Sequence, residues 1–196
     1  VGYRSYVQTI TVDQNLRLDI SLSEGFVGLD EVIVTGTRAT DNTPTTFTEV
    51  KKEELAKQNF GQDLPFLLNW TPGVVTTSDA GAGVGYTGIR IRGSDATRIN
   101  VTINGIPVND SESQGVFWVN TPDLATSTDN IQVQRGVGTS TNGAGAFGAS
   151  INVLTSGLSQ EPKAAVNSTF GSYNTQKFNA VYSTGLLADK WAFEGR

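Results

Sequence analysis

Apolar and polar residues alternate with a period of two along much of this 196-residue chain, which is the signature of strands with one buried face. The stretch VQTITVDQNLRLDISL, residues 7–22, alternates on both sides of Asp13-Gln14-Asn15 and predicts a strand, a turn and a second strand. It reads as the end of a small β-domain. Beyond Gly25 and Gly28, the β-branched run from Val32 to Thr35 stands between linker-like segments rich in Thr, Asn and Gly, a strand without an evident partner. Further strands are predicted at TGIRIRG (87–93), RINVTIN (98–104), DNIQVQRG (129–136) and ASINVLT (149–155). Ile89 and Ile91 fall on one face of the first of these, Arg90 and Arg92 on the other.

Helical signals are confined to residues 50–70. VKKEELAKQNF places Leu55 and Ala56 among helix-favouring Lys, Glu and Gln, and QDLPFLLNW offers Asp63 before a turn or two in which Pro65 is tolerated and which Pro72 ends. Asn104-Gly105 lies between alternating apolar runs and predicts a hairpin over 100–110, because both residues accept positive φ. Long polar connections cover 78–86 and 111–122, and the second contains Val116, Phe117, Trp118 and Val119. Aromatic residues in such a loop either pack on a neighbouring surface or touch a ligand. Toward the C-terminus, 163–172, 175–187 and 190–196 alternate again between turn residues. The resulting fold class is α+β, a mixed sheet with short helices.

Composition removes several function classes. The net charge of −5 and pI near 4.7 deny the chain the basic surface on which nucleic-acid affinity depends. Cys and His are both absent, so there is no disulfide framework, no thiolate nucleophile and no imidazole base or metal ligand. That weakens enzyme readings and gives no reason to expect a cofactor or metal. No run of 18 apolar residues is present for a membrane helix, and the absence of Met makes Val1 a residue exposed by processing or cutting of something larger.

The 22 glycines include two G-x-G-x-x-G spacings, at Gly83, Gly85 and Gly88 and at Gly143, Gly145 and Gly148. A dinucleotide loop needs a helix opening at the third glycine, whereas Gly88 and Gly148 both open strand patterns. The second stretch is expected to be a compact turn between strands 131–135 and 150–154, where small residues let backbones approach or take φ above zero.

Four segments in series, LPFLLNWTPGV (64–74), IRIRG (89–93), INGIPVND (103–110) and IQVQRGVGTSTNGAGAFGASINVLT (131–155), resemble the plug domain of TonB-dependent outer-membrane receptors. Upstream, DEVIVTG looks like the TonB box that Bacteroidetes-type receptors carry after a carboxypeptidase-regulatory-like β-domain. The resemblance implies the end of that β-domain at 1–24, a linker with the box at 25–45, the plug at 46–160 and the first strands of a transmembrane β-barrel at 161–196. The ten-residue dyad repeats at the C-terminus agree independently with barrel strands, whose lipid-facing or interfacial positions would hold Ala165 or Val166, Phe178, Ala180, Tyr182, Trp191 and Phe193. A plugged barrel has about 22 strands, so the chain is expected to be a fragment.

In such receptors the barrel binds a scarce nutrient, the plug blocks the pore, and TonB pulls on the box. By resemblance, Glu31, Val32, Ile33, Val34 and Thr35 would add as a strand to the TonB C-terminal domain, the alternative being that Val32 to Val34 continue the preceding β-domain. Arg92 and Arg135 would anchor the plug to its own barrel wall, unless they are simply an exposed sheet face. Tyr86, Asp110, Glu112, Phe117 and Trp118 are loop candidates for contact with a siderophore, haem, cobalamin or oligosaccharide. The expected location is the outer membrane of a Gram-negative cell, with the box facing the periplasm. Gln132, Asn104 and Ala149 depart from the family pattern, and a neutral Gln132 in place of the usual acid puts the family's full ionic lock in doubt. Two rivals remain: a secreted carbohydrate-binding or adhesion module, in which 163–196 would complete a soluble sandwich, and a glycosidase using Asp110 and Glu112.

Overall fold

The computed structural model describes residues 6–10, 17–22, 37–138, 142–143, 145–188 and 190–196. Its centre is a five-stranded sheet in the order β1-β6-β7-β4-β5. These strands are β1 (Thr46–Lys51), β4 (Ile99–Ile103), β5 (Ile106–Pro107), β6 (Thr128–Arg135) and β7 (Ala149–Thr155). β4 and β7 run parallel and the other neighbours antiparallel. Between β1 and β4 lie α1 (Lys52–Gln58), the single turn α2 (Leu64–Leu67) and a separate ribbon of β2 (Val74–Ser78) and β3 (Thr87–Ile91).

Alternation builds the core. Register sets Ile131 against Val153 and Val133 against Ile151, and the parallel pair adds Val101 and Ile103 to the same face. This face packs on Leu55 of α1, Leu64 and Leu67 of α2, Ile89 and Ile91 of β3, and Trp118. Alternation also puts Gln132, Gln134, Ser150, Asn152 and Thr102 together on the opposite face. That face is buried as well, with Gln134 and Ser150 fully inaccessible. The sheet therefore has an apolar side and a polar side, and both are covered.

The Asn-Gly hairpin forms as predicted, with φ of 51° at Asn104 and 81° at Gly105. Its carboxamide also donates to Thr155 Oγ1 at 2.7 Å and accepts from Thr155 N–H at 2.9 Å, so the hairpin is tied to the end of β7. An aspartate in this place lacks the donor.

Three strands of the C-terminal region form a second sheet in the order β10-β9-β8, from β8 (Lys163–Phe170), β9 (Gln176–Ser183) and the two-residue β10 (Glu194–Gly195). Register places Ala164 against Tyr182 and Val166 against Ala180, so these share a face with Phe170 and Phe178. The two phenyl rings meet edge-on at 5.7 Å. Val166 thus lies on the exposed face with the two phenyl rings, whereas Ala165 lies on the other face with Lys177, Asn179 and Val181.

Several expectations need correction. Residues 6–10 and 17–22 carry no strand and are exposed, so the predicted strand pair at 7–22 is not formed by its described residues. A lone hairpin without a sheet to join is marginal in water, whatever its alternation. β1 occupies the front of the segment read as helical, and β2 was not foreseen, because TFTEVK and VVTTS are short runs with weak periodicity. The last predicted strand shrinks to Glu194–Gly195.

The second glycine stretch lies in the connection between β6 and β7, next to a strand and not a helix. Gly148 N–H donates to the Arg98 carbonyl at 2.9 Å, and a Cβ there would stand 2.6 Å from Ser94 Cβ and 2.8 Å from that carbonyl oxygen. Gly143 has open space around it but a φ of +78°. Gly148→Ala is accordingly expected to cost about 1–3 kcal/mol through overpacking, and Gly148→Val more. Gly143→Val is expected to destabilise through backbone strain of about 1–2 kcal/mol. Denaturant unfolding of the full-length protein, followed by tryptophan fluorescence, checks the order, which reverses if steric approach at Gly148 is not limiting.

Candidate functional site

The residues predicted as functional fall in separate places. Glu31, Val32, Ile33, Val34 and Thr35 lie outside the described residues. Thr37 is docked on the polar side of the central sheet. Gln132 Oε1 accepts from Ala39 N–H at 2.7 Å and its Nε2 donates to Ala39 O at 2.9 Å. Gln134 Nε2 donates to Thr37 O at 3.1 Å and to Gln132 Oε1 at 2.9 Å. Between them Arg38 pairs with Glu49 of β1 at 3.0 Å and hydrogen-bonds Asn130. Burial draws the Arg38 pKa below the usual arginine value, and the charge and hydrogen bond of Glu49 act against that shift.

Arg92 and Arg135 come together at one corner of the fold. Arg92 has a φ of 51° in the tight turn after β3, with Gly93 following at 80°. Its Nη1 donates to Arg135 O at 3.3 Å. Arg135 Nη1 donates to Pro72 O at 3.1 Å and Nη2 reaches Phe47 O at 3.5 Å. The partners are carbonyls, and no carboxylate pairs with either guanidinium among the described residues. Carbonyl dipoles fix their direction and leave both charges uncompensated.

Asp110, Phe117 and Trp118 line one shallow pocket of about 220 Å³ with Ile103, Val108 and Val116. Trp118 is 4% exposed and belongs to the core, so its indole is a packing group, while Phe117 at 50% remains open. Tyr86 and Glu112 stand outside that pocket and are exposed. Asp110 organises its own loop: Oδ1 accepts from Ser113 N–H at 2.7 Å, Ser113 Oγ at 2.9 Å and Glu112 N–H at 3.1 Å. The Ser113 amide, first among these, holds the Asp110 carboxyl below the usual carboxylate range.

One cluster was not foreseen. Lys177 of β9 reaches Asp123 at 2.6 Å, Asn59 at 3.0 Å and Thr126 at 3.2 Å. Asp123 sits at a φ of 53°, where its carboxylate also accepts from Asn59 and Thr126. Residues 59, 123 and 177 come from segments far apart in the chain, and no local pattern announces their meeting. The inward position of Lys177 in the β9 alternation was the one available signal.

The fold now has a mixed sheet with two arginines at its rim, an Asn-Gly hairpin beside β7 and a linker docked along β6. Residues 39–150 match the TonB-dependent Receptor Plug Domain family. The chain belongs to that family. Among curated relatives, the vitamin B12 transporter BtuB of Vibrio cholerae is 27% identical over 159 residues, covering 80% of this chain and 26% of its own length. The chain thus spans about a quarter of the curated relatives it matches. Solved structures that share the fold include the siderophore receptor PirA from Acinetobacter baumannii, with a TM-score of 0.59 at 20% identity over 86% of this chain and 25% of that one. The ferric yersiniabactin uptake receptor FyuA from Yersinia pestis gives 0.57 at 17% identity over 78% and 23%.

For this plug the Lys177 cluster predicts an acid-sensitive contact. Burial raises the Asp123 pKa, but hydrogen bonds from Lys177, Thr126 and Asn59 and the Lys177 charge outweigh it, leaving the group below its ordinary value. A depressed folded pKa adds stability that is complete above the unfolded value of about 3.9 and is lost as pH falls through the folded value. Protection of the β9 amides against hydrogen exchange in the full-length receptor is therefore expected to hold from neutral pH to about 4 and to drop below it. Asp123→Asn should remove that drop, and a drop of equal size in the variant would rule Asp123 out as its source.

Proposed function

We propose that this chain is the plug region of an outer-membrane receptor that gates energy-coupled uptake of a scarce nutrient. The observation that carries the reading is the pairing of a family plug with a following hairpin whose outer face is exposed and carries Ala164, Val166, Phe170, Phe178, Ala180 and Tyr182, with Ser168 and Gln176 as its polar members. A strand pair of this kind suits a lipid-facing barrel wall. A soluble sandwich would instead bury that face against another sheet, and no second sheet covers it among the described residues. For the hydrolase rival, Asp110 does not suit the general-acid role, which needs a raised pKa, because hydrogen bonds from Ser113 hold its carboxyl down.

Glu31 to Thr35 is the proposed TonB site, since main-chain strand addition suits a short β-branched segment. TonB is the proposed partner on the periplasmic side. Arg92 and Arg135 are proposed to meet carboxylates on the barrel wall, a reading supported by two guanidiniums held only by carbonyls. Tyr86, Phe117 and the loop organised by Asp110, with Glu112, are proposed to face the nutrient. BtuB carries vitamin B12 by name, whereas PirA and FyuA are named as siderophore receptors, so cobalamins and iron chelates are the two classes to test first.

Binding of a soluble TonB C-terminal domain separates the box from a mere linker. The full-length receptor is expected to bind it, and Val34→Pro, which removes a ladder donor, to weaken binding by at least about tenfold. Equal affinities would exclude strand addition at this site.

A further inference from the structure

Among the described residues, the segment nearest the proposed TonB site is gripped by the side chains of Gln132 and Gln134 and by the Arg38–Glu49 pair. Thr37 lies two residues beyond Thr35, so tension applied at residues 31–35 arrives here before it reaches any strand of the sheet. Residues 37 and 39 step along β6 in the antiparallel sense, Thr37 onto Gln134 and Ala39 onto Gln132. Each carboxamide does the work that a neighbouring strand backbone would do. The chain then turns, with Thr43 N–H donating to Thr40 O at 2.8 Å, and returns as β1, the edge strand of the sheet.

The order of attachment sets an order of loading. Of the bonds among the described residues, a pull from the N-terminal side loads the Gln134 bond before the paired Gln132 bonds and Arg38–Glu49, and all of these before the β1–β6 ladder. Bonds met one after another yield at lower tension than a ladder loaded all at once, because each carries the whole force in turn. The segment touches the polar side of the sheet through Gln132 and Gln134, so lifting it frees amides and leaves the Ile and Val face closed. Water replaces the lost bonds at small net cost.

We propose that residues 37–39, held by Gln132 and Gln134 and by Arg38–Glu49, form a clasp whose release is the first step by which a pull on the TonB site reaches the plug. The inference rests on Glu31 to Thr35 being that site. The neutral Gln132 makes the grip on Ala39 independent of pH, and its two-ended contact with a single residue fixes the register of the linker on β6.

The test uses the full-length receptor in a supported membrane, pulled through a bound TonB C-terminal domain, beside hydrogen exchange on the same protein at rest. In Gln132→Leu/Gln134→Leu, exchange in the peptide covering 37–45 is expected to rise about tenfold, as when local opening loses one net hydrogen bond. Exchange across β6 and β7 is expected to stay as in wild type. Under load, the first extension event should move to lower force or vanish while later events persist. If TonB binds and the first event is the same in wild type and variant, the clasp is wrong and the TonB site stands. If TonB does not bind wild type, the site itself is wrong and the clasp falls with it. Should the double variant lose protection in β6 and β7, Gln132→Asn, one methylene too short to reach Ala39, takes its place with the same expected outcomes.

Discussion

The requirement that every buried polar group find a partner governs this plug more than its apolar core does. A sheet with one wet face satisfies its polar side chains with water, but here both faces are covered and the polar one holds Gln132, Gln134, Ser150 and Asn152 at almost no exposure. Burying an unbonded amide costs about 1–3 kcal/mol, so the covering chain must supply acceptors and donors at matching spacing. Residues 37–39 do this with backbone groups that would otherwise be orphaned themselves. The cover is incomplete: Asn152 Nδ2, Ser150 Oγ and Asn100 Nδ2 find no partner among the described residues. The polar side is therefore the less fully satisfied of the two faces, and it is the one to which residues 37–39 are attached.

Close backbone approach is the second constraint, and it accounts for the glycine patterns that imitate nucleotide loops. Gly148 lets the β6–β7 connection touch the Arg98 carbonyl, and Gly88 lets β3 lie against Thr77 of β2, where a Cβ would meet Oγ1 at 2.7 Å. At Gly83 the Phe66 ring stands 2.8 Å from where a Cβ would be, so α2 and the loop after β2 are pressed together. These contacts replace side-chain packing with backbone proximity, and they fix where the rim loops leave the sheet.

Much of this was legible because alternation is a local property. ASINVLT predicted residues 149–155 and the strand occupies the same residues, while Asn104-Gly105 carried its turn geometry in two letters. Four motif segments in series carry the resemblance to the family, and the match over 39–150 agrees. What escaped depends on partners distant in sequence. β1 and β2 are strands because β6 and β3 are beside them, and 7–22 alternates as well as either without pairing in its described residues. Alternation distinguishes one face from the other, but it does not say whether the polar face meets water. Reading Gln132 only as a missing acid overlooked that a carboxamide grips a backbone at both ends, which a carboxylate cannot do.

The division of labour between forces then suggests why such a plug can be both firm and movable. Its interior is apolar and cooperative, and breaking it exposes Ile, Val, Leu and Trp at about 25 cal/mol per Å². Its attachments to the linker, to β9 and between the rim loops are hydrogen bonds and charge pairs: Gln132 with Ala39, Lys177 with Asp123, Arg135 with Pro72. Each is worth about 1 kcal/mol net, because water takes the place of the lost partner. A directed pull therefore spends itself on the polar attachments one by one while the apolar body stays intact, and the piece that yields first is the one joined to the sheet by two carboxamides and an arginine.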